Sequence, residues 1–248
     1  MAKRKSPLPR PAAHRENLGH YAVAGLVTLA VVLLIYRYAA VRYGVEGLST
    51  LNKSLATGTA FLLGIVLLLG PLSRLFTVFD HALKFRKELG IMTVFTGAAH
   101  VYLSMFPLAR RGPFGFYQAQ PVSAYTGLAG LVIMVLLLLI SGNTIERAIG
   151  TKLWWKLQYW GARSAFILTA VHFIVLKYQG MAQWMAGRGS GGSGEGALWL
   201  PPISILITVF AAFVLVVRLS ELFGSVPARR IIQMSFFTAT AYTIWLFL

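Results

Sequence analysis

The chain alternates long apolar runs with short polar or glycine- and proline-bearing linkers. A bilayer core of about 30 Å takes roughly 20 apolar residues as helix. Seven runs meet that length: residues 21–40, 55–76, 89–108, 124–141, 157–178, 201–222 and 231–248. The breaks between them carry Gly44 and Gly47, the stretch from Pro107 to Pro113, and Pro227. Residues 187–196 (GRGSGGSGEG) read as a flexible loop, interrupted by Arg188 and Glu195. The pattern predicts an all-α, polytopic transmembrane helix bundle of six to seven spans. The short last run behind Pro227 is the least regular of them.

Composition sharpens this picture. Only 12% of the 248 residues are charged, against about 25% in soluble domains. The formal charge is nevertheless +16, from 23 Lys and Arg against 7 Asp and Glu. Nucleic acid is not the expected partner, because the cations sit between membrane-length runs. Sorted by side of the membrane, fifteen cations share the face of the N-terminus and seven the other, with Arg163 inside a span. The positive-inside rule then places the N-terminus in the cytoplasm, with membrane lipid the expected surroundings. Residues 1–20 read as a basic cytoplasmic tail and 21–248 as one transmembrane domain. The full-length first run lacks a small-residue cleavage pattern, so the tail is not read as a signal peptide. Cysteine is absent, which excludes disulfides, thiolate metal sites and iron–sulfur clusters on this chain.

The candidate chemistry lies with histidine. His14 falls in the tail, and His20 and His81 lie at span ends, where a solvated imidazole is the simple reading. His100 and His172 lie within apolar runs (GAAHVY and TAVHFI). An ionisable group at that depth is costly and usually partnered. At ~1.5 Å per residue, the two fall ~18 and ~22 Å from the cytoplasmic ends of their helices, which run in the same direction. Two imidazoles at one depth can take both axial positions of a single b-type heme. That ligation leaves no open position and suits electron transfer. Small neighbours (Gly97, Ala98, Ala99, Thr169, Ala170) are expected to leave room for the macrocycle. Zinc fits less well, with no third ligand visible at that depth.

These residues also carry a resemblance. Residues 56–75 (ATGTAFLLGIVLLLGPLSRL), 86–102 (RKELGIMTVFTGAAHVY) and 153–173 (LWWKLQYWGARSAFILTAVHF) are similar to successive helices of the ferric reductase-like transmembrane family. The resemblance is strongest to its YedZ/MsrQ branch of heme-binding membrane subunits. It covers roughly residues 55–178, while residues 201–248 add helices without a testable motif. It implies His100 and His172 as ligands of the heme nearer the outer face. It also implies electron flow from a quinol or partner donor to an outer-face acceptor. Two-heme members carry further ligands nearer the cytoplasm, where this chain has Arg86 and Gln158 or Tyr159. The expectation is therefore one heme, with an unorthodox His20–His81 pair as the remote alternative.

The other polar residues have double readings. Arg163 is either a partner for a heme propionate or quinone oxygen, or a snorkelling cation. Arg86 lies in a basic cluster with Lys84 and Lys87, set by topology or by contact with a propionate or quinone. The outer segment 110–125 is an interfacial loop or the cover of a heme edge. Trp154, Trp155, Tyr159 and Trp160 read as interfacial anchors, and Gly58, Gly64 and Gly70 as packing positions. No GxGxxG loop precedes a soluble segment, so no flavin or NAD site is expected. The resulting expectation is a heme b electron-transfer subunit in a multi-pass bacterial inner-membrane location, partnered within a membrane or periplasmic redox complex. Its rival is a non-catalytic structural subunit that retains the fold.

Overall fold

A computed structural model describes residues 10–109, 115–187 and 199–248, with side chains described for these except 10–17, 116, 117 and 143. The basic tail through Arg15, Arg110 and Arg111 of the outer loop, and Arg188 and Glu195 lie outside the residues whose side chains are described.

The order of elements is α1 (Arg10–Tyr43), α2 (Leu48–Leu75), a 3-10 turn (Thr77–Phe79), α3 (Asp80–Leu83), α4 (Arg86–Met105) and α5 (Gly115–Ala119). There follow α6 (Pro121–Leu139), α7 (Asn143–Ile149), α8 (Thr151–Met185), α9 (Ile203–Ser220), a second 3-10 turn (Glu221–Phe223) and α10 (Ser225–Trp245). No strand occurs among the described residues. Each of the seven apolar runs falls on one of the long helices α1, α2, α4, α6, α8, α9 and α10. Apart from 201–222, the runs start later than their helices, in α2 because a polar first turn masks the helix start. α2 begins seven residues before Leu55, through a segment holding Asn52 and Lys53. α10 begins before Pro227, which sits in its first turn, where a missing N–H leaves no bond unmade.

Five long helices are apolar enough to cross a membrane by length and composition: α1, α2, α6, α8 and α9. α4 and α10 have the length, at 20 and 21 residues, but carry more polar side chains. On α4, one of these meets α2 inside the bundle. Thr59 Oγ1 of α2 lies 3.0 Å from Thr96 Oγ1, and both hydroxyls also bond to carbonyls of their own helices.

Contacts at the helix ends set the alternation. Tyr38 near the end of α1 donates to the carbonyl of Pro201 before α9, at 2.6 Å, and its ring meets Phe247 beyond α10. Arg74 at the end of α2 pairs with Glu221 behind α9. The ends of α1, α9's start and α10's end thus share one face, and α2's and α9's ends the other.

α2 is the hub. Most of its apolar length is buried, whereas α1 and α8 present most of theirs outward. Leu63, Leu67 and Leu68 of α2 pack with Phe166 of α8 and with Val214 and Val217 of α9. Lipid offers no hydrophobic drive between helices, so close packing on small residues must hold them. A Cβ on Gly64 would overlap the Phe210 ring of α9. On Gly58 it would press Val32 of α1 at 3.1 Å, and on Gly70 it would touch Arg86 of α4 at 3.7 Å. The six-residue spacing therefore serves three different neighbours rather than one stripe.

Candidate functional site: a histidine pair inside the bundle

α4 and α8 bring His100 and His172 together. Their ring centroids lie 6.4 Å apart, with the ring planes at 66°. The equal depth expected from residue counting is therefore present.

Each imidazole is held through one nitrogen. His172 Nδ1 lies 2.7 Å from the carbonyl oxygen of Ser123, which can only accept, so Nδ1 carries the proton and donates. Ser123 is fully buried in the first turn of α6. Its hydroxyl donates back to the His172 carbonyl at 3.1 Å, tying α6 to α8 from both sides. His100 Nδ1 lies 2.8 Å from Asn52 Oδ1. Asn52 Nδ2 bonds Ser104 Oγ at 2.9 Å, which fixes the amide so that its oxygen faces the ring. In each ring, Nδ1 is committed and Nε2 is the remaining nitrogen for a ligand. A metal-ligating histidine is normally oriented in this way by its second nitrogen.

Close approach around His172 depends on glycine. A Cβ on Gly127 would stand 2.6 Å from His172 Nδ1. The small residues that the sequence suggested as cofactor space do different work. A Cβ on Gly97 would meet Thr59 at 3.3 Å and Leu131 and Met134 at 3.6 Å, so Gly97 serves the packing of α4 on α2 and α6. Ala170 is buried in the body of α8.

The donor set fits a heme iron. At a centroid separation of 6.4 Å, the two imidazoles are close enough to serve one metal centre together. Among the described residues no group of three His, Cys, Asp or Glu side chains forms. A two-imidazole set suits a macrocycle that brings its own four nitrogens.

Arg86 and Arg163 are not at this pair. Arg86 lies fourteen residues before His100, ~21 Å along α4, and Arg163 nine before His172, ~14 Å along α8. Arg163 is packed against its neighbours. Its guanidinium lies 3.2 Å from the Tyr159 ring centroid, donates to the Tyr159 carbonyl at 2.8 Å and reaches Glu221 at 3.5 Å. The positions implied for inner ligands are otherwise engaged as well. Gln158 Nε2 donates to the Leu137 carbonyl at 3.1 Å, and Tyr159 underlies Arg163. His20 packs edge-on against Phe85 at 5.1 Å, and His81 is exposed. Trp154 is more than an anchor, since its indole N–H donates to the Ile140 carbonyl at the end of α6, at 2.7 Å.

Sequence reading missed Asn52, Ser104, Ser123 and Gly127. Asn52 and Ser123 fell just outside the apolar runs, at 55 and 124, and so were assigned to linkers. The available signal was their spacing: each lies within the first turns of a helix facing a buried histidine.

The fold and the site together define a class: a multi-pass helical membrane protein with an imidazole pair inside its bundle. Comparison with known proteins adds a likeness to a family. Residues 55–162 match the family described as "Ferric reductase like transmembrane component". The chain is also 29% identical over 135 residues to the protein-methionine-sulfoxide reductase heme-binding subunit MsrQ of Ralstonia nicotianae (strain ATCC BAA-1114 / GMI1000). That match covers 54% of this chain and 62% of the relative's length. Both findings support the ferric reductase-like resemblance and its YedZ/MsrQ branch.

Proposed function

We propose that the chain is a membrane electron-transfer subunit holding one b-type heme between His100 and His172. The observation that carries this reading is the pair itself: two imidazoles 6.4 Å apart, each with Nδ1 engaged by an oxygen acceptor. Heme would supply a one-electron couple, held by His100 and His172. The chain's own residues would fix the tautomer of each ring and the spacing between α4 and α8. With no cysteine in the sequence, thioether attachment to this chain is excluded, in keeping with a non-covalent heme such as heme b.

The relative's name, a heme-binding subunit of a methionine sulfoxide reductase, supports the heme and a protein partner. Electrons would arrive from a quinol or a partner subunit and leave at the outer face near the histidines, with the N-terminus cytoplasmic in a bacterial inner membrane. Arg86 and Arg163 stand apart from the histidine pair along α4 and α8, and Arg163 is engaged by Glu221 and Tyr159.

The test is a reduced-minus-oxidised spectrum of the purified full chain. It should show b-type bands that His100→Ala or His172→Ala abolishes. A chain purified from heme-replete cells without those bands would overturn the reading. The rival, a structural subunit, draws on the engagement of Arg86, Gln158 and Tyr159 where inner ligands would stand. It predicts a heme that binds but is not reduced by a quinol analogue.

A further inference from the structure

The end of the bundle opposite the histidines concentrates charge that the electron-transfer reading does not use. Glu221, in the turn after α9, receives three guanidinium groups from three helices: Arg74 of α2, Arg163 of α8 at 3.5 Å and Arg218 of α9 at 2.9 Å. The side chains of Arg163, Arg218 and Glu221 are only 14%, 11% and 14% exposed. Arg86 of α4 approaches from the fourth side, against Gly70 one turn before Arg74, and feels the charges of both Arg163 and Glu221.

Three guanidinium groups thus share one carboxylate, with Arg86 nearby. The excess of positive charge in a partly desolvated setting is expensive unless an anion joins it. Arg218 Nε is also buried without a hydrogen-bond partner. Beside the cluster lies a cavity of about 260 Å³, lined by Arg74, Leu75, Glu221, Gly224, Ser225 and Ala228. Its lining includes the start of α10, whose first turn has no side-chain cap. The N–H groups of Ser225 and Val226 there add positive potential to that of the arginines.

The surroundings indicate which anion. The turn next to the cavity exposes Leu222, Phe223 and Val226 at 78%, 62% and 62%. Side chains of this kind suit acyl chains, and the cluster stands where α2 and α9 end, at headgroup level. We propose that this end of the bundle binds the phosphate of an anionic glycerophospholipid, with Arg74 at the cavity and Arg163 and Arg218 behind it. The carboxylate of Glu221 organises the arginines and partly opposes the lipid.

Native mass spectrometry of the full chain, purified lipid-poor in a neutral detergent, tests this with phosphatidylglycerol, phosphatidylcholine and inorganic phosphate as probes. Phosphatidylglycerol should be retained about tenfold better than phosphatidylcholine. Arg74→Gln, at an exposed side chain, should reduce that preference about threefold or more. Glu221→Gln should increase it, an effect that mere misfolding would not produce. Equal retention of the two lipids, or an unchanged preference in Arg74→Gln, would overturn the proposal. Displacement of the lipid by millimolar inorganic phosphate would overturn the lipid assignment in favour of a soluble phosphate compound.

Discussion

The two ends of the bundle handle ionisable groups in opposite ways. At the histidine end, two imidazoles are bound to neutral partners, an amide oxygen and a carbonyl, each at less than 3 Å. No side-chain charge is needed to hold them. At the other end, Arg74, Arg163 and Arg218 converge on Glu221 from three helices. The first arrangement commits each Nδ1 to an oxygen and leaves Nε2 for a ligand. The second accepts the cost of charge and recovers it through ion pairing and stacking, as where Arg163 lies over Tyr159. Uncharged partners thus surround the histidines, and the arginines and their counter-charge are kept at the rim.

If the contrast is correct, the histidine end should fail through geometry and the arginine end through charge. The largest effect is expected at Gly127. In Gly127→Ala the added methyl would stand 2.6 Å from His172 Nδ1, well inside contact distance. The ring must turn, breaking its bond to the Ser123 carbonyl. Heme content per chain, measured by pyridine hemochrome, should fall to near background while helical circular dichroism stays intact. Full heme content in this variant would show that the His172 arrangement is not what holds the cofactor.

The matching test of the other end is Glu221→Gln. Removing one partner of a desolvated charge cluster strands the others, at a cost of about 3 kcal/mol. Thermal unfolding of the lipid-poor chain in detergent should shift down, and phosphatidylglycerol should recover more of the loss than it does in the wild type. Heme absorbance in the surviving folded fraction should be unchanged. A heme loss equal to that of Gly127→Ala would mean that the two ends are not independent.

How much of this could be read from sequence differs between the ends. All seven helices were legible, because membrane-length apolar runs are a strong signal. So was the histidine pair, since residue counting puts His100 and His172 at one depth on helices of the same direction. What holds the pair was not legible. Asn52 and Ser123 lie in polar first turns that hydropathy reads as linker, although both turns are helical. The arginine end was hidden for another reason. Its partners are 147 and 58 residues apart in the chain for Arg74 and Arg163, and no local pattern ties them to Glu221. Arg163, read alone, invited a cofactor or a snorkelling role, and its packed pairing appears only when α8 meets α9.

A smaller effect is expected where geometry is loosened without a clash. In Asn52→Leu the His100 ring would lose its hydrogen-bond acceptor while the Nε2 ligand remains. Loss of such an orienting partner typically costs 10- to 100-fold in affinity. Heme should still bind, with that weaker retention measured by transfer to apomyoglobin. Complete loss would make Asn52 essential to the fold of the α2–α4 pair, and unchanged retention would remove it from the site.

The smallest effect should come from Arg74→Gln, and it discriminates between the ends most finely. Arg74 and Glu221 are paired, but the Arg74 side chain is 63% exposed. Water and salt screen such a contact, so the lipid-poor chain should lose less than about 1 kcal/mol of stability. Arg163 and Arg218 continue to neutralise Glu221 from the packed side, so no buried carboxylate is stranded. The heme bands should not move. Arg74 also lines the cavity beside α10, so its loss should be felt mainly through the anion that the cavity takes. Unfolding midpoints measured with and without phosphatidylglycerol separate these contributions. A large drop without lipid would make Arg74 a structural pillar of the bundle end, whereas a drop seen chiefly in the lipid-dependent increment identifies it as the outer member of a binding site.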